Sequence, residues 1–147
     1  MKWRWLAVAL SLVFSGAVLG EEMLSNDGVS PASLVQQINQ KCRQENESYK
    51  LSSDVADCIM KAAQHYSSIL QDEFDKLAKS TRNEDVLKLL KESQISWDAF
   101  RRSACIFQVM TLFPGDNIKG KPSMASCMLY ITIDRLANLQ YIASNSK

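Results

Sequence analysis

The chain has 147 residues carrying 17 basic and 16 acidic side chains, a formal net charge of +1. That length suits one domain of ordinary size. Balanced charge with no basic block excludes nucleic acid as the partner, because phosphate binding needs a clustered cationic surface.

Lys2 and Arg4 precede an uncharged apolar run from Trp5 to Leu19, and the small residues Ala17 and Gly20 stand before Glu21 and Glu22. This pattern predicts a secretory signal peptide over residues 1–20. The run is shorter than the ~20 apolar residues of a membrane span, and no cysteine stands at the expected cleavage site to accept a lipid. Cleavage removes Lys2 and Arg4 and leaves a mature chain of net charge −1. The expected product is periplasmic or secreted, with no stable membrane insertion after cleavage. A flexible N-terminal segment is expected over 21–30 and a helical domain over 31–147.

Residues 32 to 113 contain neither glycine nor proline, a strongly helical distribution. Ser30 followed by Pro31 reads as a helix start, with Leu34, Val35, Ile38 and Cys42 on one face and an end near Asn46 to Tyr49. A second helix is expected from about Asp54 to Lys79, with Val55, Ile59, Ala62, Tyr66, Ile69 or Leu70, Phe74 and Leu77 at helical spacing. The third begins at Thr81, whose spacing to Glu84 fits a capping box. An irregular linker from about Gln108 to Ser123 holds Pro114, Gly115, Gly120 and Pro122. A fourth helix then runs from about Met124 to Ile142, with Met124, Cys127 or Met128, Ile131, Leu139 and Ile142 inward. Short turns between long helices make neighbours antiparallel. The expected fold is all-α: an up-and-down bundle of about four helices, its body formed by the second, third and fourth.

Four cysteines, Cys42, Cys58, Cys105 and Cys127, follow the apolar run, and an even count in an oxidising compartment favours two disulfides. No Cys-x-x-Cys pair occurs and His65 is the sole histidine, which argues against zinc or any other metal. The bundle can gather all four sulfurs near one pole, so three pairings stay open. Joining sequence neighbours is the simplest, Cys42 with Cys58 and Cys105 with Cys127.

Within the third helix, Val86, Leu90, Ser93, Trp97, Phe100 and Ala104 alternate in steps of four and three, the mark of a packed face. Trp97 reads as a core anchor. Gln94 and Arg101 lie beside that face, and Arg135 shares the inward face of Ile131 and Leu139. A half-buried guanidinium needs acceptors, and Gln94, Asp98 and Thr132 are the nearest candidates.

The linker is richer in apolar residues than an exposed connection usually is. Phe107, Met110, Leu112 and Phe113, with Asp116 and Lys119, are the candidate partner contact. The competing expectation, which the sequence favours, is that these apolar side chains fold back and cap the bundle. His65 sits among Gln64, Ser67 and Ser68, and Asp72, Glu73 and Asp75 form a solvated helix face. No Gly-rich phosphate loop, activated nucleophile or metal-binding run is present. Neither catalysis nor a cofactor is expected.

The order Cys42, Cys58, then Gln94, Trp97, Phe100, Arg101 and Cys105 as Gln-x-x-Trp-x-x-aromatic-Arg-x-x-x-Cys, then Cys127 and Thr132, Arg135 and Leu139 as Thr-x-x-Arg-x-x-x-Leu, resembles the LprI-type lysozyme-inhibitor family. The resemblance spans about residues 42 to 142. The second helix departs from the pattern, carrying Leu70, Gln71 and Phe74 where the family often shows Leu-Asn-x-x-Tyr. What the resemblance implies is a small exported helical protein that binds another protein. The partner would be lysozyme or another cell-wall hydrolase, with the motif residues mainly structural. A periplasmic immunity or envelope accessory role is the alternative.

Overall fold

The computed structural model describes residues 29–45 and 52–146. The expected signal peptide, most of the N-terminal segment, and the Asn46 to Tyr49 end of the first helix lie outside the described residues. Four helices account for nearly all the rest: α1 Pro31–Glu45, α2 Ser52–Ser80, α3 Glu84–Leu112 and α4 Asn117–Asn145. No strand occurs among the described residues, and the chain is an all-α bundle.

α1 starts where Ser30 accepts from the Ser33 backbone N–H at 3.2 Å, with Pro31 in the first turn. It buries Leu34, Val35 and Cys42. The core joins these to Ile59, Ala63, Tyr66, Leu70 and Leu77 of α2 and to Ala125, Leu129, Ile133, Leu136 and Leu139 of α4. α4 is the central element, touching all three others and meeting α2 most extensively. Each fully buried Leu or Ile contributes roughly 1.5–3 kcal/mol.

The fully buried core is therefore drawn from α1, α2 and α4, with α3 packed at its edge. α3 packs on α4 alone over any substantial length. Cys105 is its one fully buried residue, and Leu90 and Trp97 are half-buried at the core edge. Val86 and Phe100, expected on the packed face, are exposed. A helix with one neighbour buries only a narrow stripe. Phe100 lies about 60° around the axis from Trp97 and falls outside it.

Two boundaries also differ from expectation. Thr81 does not open α3. Its backbone N–H and its hydroxyl both donate to the Leu77 carbonyl, at 3.0 and 2.8 Å, and close α2 instead. Asn83 is the N-cap of α3, its side chain accepting from the Val86 N–H at 3.1 Å.

The second difference is larger. The expected linker from Gln108 to Ser123 shrinks to residues 113–116, because α3 continues to Leu112 and α4 begins at Asn117. Asp116 caps α4, its Oδ1 accepting from the N–H groups of Ile118 and Lys119, both at 3.1 Å. Gly115, at φ +75°, supplies the left-handed turn residue. Gly120 and Pro122 thus sit inside a helix. Pro122 removes one N–H in the second turn. Gly120 is buried where α3 and α4 meet: a Cβ there would stand 3.0 Å from Val109 Cγ1. Val109 is β-branched and cannot swing aside easily. Gly120→Leu is expected to cost about 2 kcal/mol by overpacking, read as a lowered melting temperature; an unchanged melt would mean the turn can spread.

Candidate functional site

Two arginines fasten α3 to the bundle. Arg101, whose side chain is 16% exposed, donates from Nη1 to Thr132 Oγ1 of α4 at 3.0 Å and to Ser67 Oγ of α2 at 3.3 Å. Its Nη2 donates to Asp98 Oδ1 at 2.8 Å, and the guanidinium carbon lies 4.8 Å from the Trp97 ring centroid. One side chain thus links three helices and stacks on the aromatic anchor. Asp98 also accepts from Arg102 at 2.6 Å. Thr132, fully buried, donates to the Met128 carbonyl at 2.7 Å.

Arg135 makes the second tie. It donates from Nε to Gln94 Oε1 at 3.2 Å and from Nη2 to Ser93 Oγ at 2.6 Å, both on α3. Burial lowers its pKa from the ordinary arginine value. Leu139, one turn further along, is buried in the core. Of the motif residues Gln94, Trp97, Phe100, Arg101, Thr132, Arg135 and Leu139, all but Phe100 face the junction of α3 with α4 or the core beneath it.

The cysteines pair as sequence neighbours: Cys42 with Cys58, tying α1 to α2, and Cys105 with Cys127, tying α3 to α4. Ser126, beside Cys127, donates to Asn39 Oδ1 of α1 at 3.1 Å.

The apolar residues of the expected linker neither form one loop surface nor fold back as a group. Phe107, Met110, Leu112 and Ile118 are exposed, and Phe113 alone of the apolar candidate contacts is half-buried. The reason is the extra helix: side chains on a helical surface are held outward, whereas a loop can turn them in. Helical geometry splits the set. Phe107 and Met110, three apart, share the outer side of α3, while Leu112 lies about 140° around from Phe107.

Leu112, Phe113, Ile118 and Lys119 gather at the turn. Phe113, Ile118 and Lys119 line a cleft of about 530 Å³ together with Arg43 of α1, Val55 of α2 and Pro122. Asp116 is engaged within the turn. Its Oδ1 is spent on capping, and its Oδ2 lies 3.7 Å from Lys119 Nζ. Arg43 and Val55 were not foreseen as part of this surface; they come from distant helices, and no spacing in the sequence joins them to residue 113.

Elsewhere, His65 is exposed, its ring set T-shaped to that of Tyr66 with 5.6 Å between centroids. Glu73 pairs with Lys76 at 2.8 Å, and Asp75 accepts from Gln71 at 3.0 Å. No group of acidic, histidine or cysteine residues suited to a metal occurs among the described residues. No described helix is long and apolar enough to cross a membrane.

The family described as lysozyme inhibitor LprI matches the chain over residues 42–139, two thirds of its length. No curated protein and no solved structure matches it. The matched span opens at the first cysteine of one staple, contains both bridges and both arginine ties, and closes at buried Leu139. By that match the chain belongs to the lysozyme inhibitor LprI family.

Proposed function

We propose that the chain is an exported protein-binding module that inhibits a lysozyme in the periplasm or outside the cell, acting through the α3–α4 turn. One observation carries the choice of surface. Leu112 and Ile118 are exposed at the turn beside a cleft floored by Val55, Phe113 and Pro122, and the Cys105–Cys127 bridge and the Asp116 cap fix the backbone around them. A rigid apolar knob next to a concavity suits protein recognition, since little order is lost on binding. Binding rather than catalysis fits the chemistry present. All four cysteines are bridged, so no thiolate nucleophile exists.

Charge favours keeping a second reading. Lysozymes are typically basic, and a complementary surface would be acidic, whereas Arg43 and Lys119 line this cleft and Lys121 is exposed nearby. A periplasmic immunity or accessory role against a less basic hydrolase fits those cations better.

The test is cell-wall hydrolysis by lysozyme with the purified mature protein. Inhibition is expected, and Ile118→Asp is expected to weaken it at least tenfold with an unchanged melting temperature, because Ile118 is 70% exposed. Full hydrolysis at a large molar excess removes the lysozyme reading, and capture of a different hydrolase from an envelope extract establishes the second.

A further inference from the structure

The outer side of α3 has no partner in the bundle and does not look like a solvated helix. Leu89, Ser96, Phe100, Ser103, Phe107 and Met110 follow one another in steps of seven, four, three, four and three, a heptad seam. Leu89, Phe100, Phe107 and Met110 are 63, 60, 71 and 69% exposed. No charged residue occurs from Ser103 to Gly115, although an exposed helix face ordinarily carries charge every turn or two.

From this face we infer a two-fold dimer in which α3 packs antiparallel against α3 of a second copy, with Ser103 near the axis. Three features select a second copy as the occupant. The seam is self-complementary: in that register Phe100 meets Phe107 of the other copy and Ser96 meets Met110, so large residues face large at the centre and small faces large at the flanks. Ser103, between the two phenylalanines, is small enough for close helix approach. Its hydroxyl already donates to the carbonyls of Ala99 and Phe100 at 3.1 Å each, so covering it leaves no donor unsatisfied. An isologous contact requires this reciprocity of residues.

Charge and area agree with the pairing. The register brings Glu92 of each copy to the level of the other's α3–α4 turn, near which Lys121 is exposed, so opposite charges fall at the rim while the centre stays neutral. The exposed parts of the four large side chains amount to on the order of 400–500 Å² per copy. With the flanking residues, Ile106 among them, this approaches the ~800 Å² per partner of a stable interface. None of the seam residues lines the cleft at the turn, so this inference does not depend on the proposed function.

Sedimentation equilibrium of the mature, disulfide-bonded protein tests it. A concentration-dependent dimer is expected. Phe107→Glu and, separately, Ser103→Arg are each expected to weaken dimerisation at least a hundredfold while leaving the circular dichroism spectrum and melting temperature unchanged, since both positions are exposed. A wild-type protein that sediments as a monomer up to millimolar concentration overturns the proposal. So does a dimer that survives both substitutions. Ile118→Asp serves as the control, expected to lose inhibition and remain dimeric.

Discussion

Removing the Cys105–Cys127 bridge, by Cys105→Ala together with Cys127→Ala, is expected to lower the free energy of unfolding by about 3 kcal/mol. The two residues are 22 apart in sequence, and a cross-link of that span removes chain entropy from the unfolded state worth about that much in the loop-closure account. The Cys42–Cys58 bridge spans 16 residues, so chain entropy alone makes the two nearly equal. Their structural consequences differ. α1 holds to the core through buried Leu34 and Val35, whereas α3 has Cys105 as its one fully buried residue. Loss of the second bridge should therefore release α3 locally before the bundle melts. Hydrogen exchange is expected to quicken across residues 100–112 while α2 stays protected. Urea unfolding measures the global loss, and a difference below 1 kcal/mol would show that α3 docks well without its staple.

Arg101→Ala is expected to cost about 2 kcal/mol, acting on the same helix from the other side of its contact. Breaking a buried ion pair usually costs about 3–5 kcal/mol, because one charge is stranded. Here the stranded groups are few. Asp98 keeps Arg102 at 2.6 Å, and Thr132 keeps its bond to the Met128 carbonyl. What disappears is the charge-assisted bonding to Ser67 and Thr132 and the stacking on Trp97. A double-mutant cycle with Thr132→Val is expected to give a coupling near 1 kcal/mol. Additivity would place Thr132 outside the network. Arg101→Lys should recover only part of the loss, since an ammonium cannot span Thr132 and Asp98 with a rigid fork.

Both results bear on how the protein would work. α3 is an outrigger on α4, held by one disulfide, two arginines and the edge of Trp97. Its remaining surface is left uncovered, and both proposed recognition surfaces, the turn and the outer seam, depend on its position. A destabilised α3 would impair binding with no contact residue altered.

Sequence alone determined the helical class, the buried faces of α1 and α2 and the family motif, and it made nearest-neighbour cysteine pairs the simplest of three pairings. These are local properties. Apolar side chains at helical spacing specify a face, and cysteines flanking one connection meet when the helices it joins lie antiparallel. Tertiary structure decided three further things. Gly120 and Pro122 read as linker residues, yet they lie inside α4, because Asp116 caps a helix there and Val109 of α3 needs the space that a glycine leaves. Phe100 and Val86 fit the packed track, yet they are exposed, because α3 has one substantial neighbour and its buried stripe is narrower than its apolar pattern. Arg43 and Val55 join Phe113 in one cleft, because folding brings together helices that the sequence keeps far apart. A periodic pattern says which side of a helix is apolar. How much of that side is covered depends on which helices pack against it, and for α3 that leaves an apolar seam facing outward.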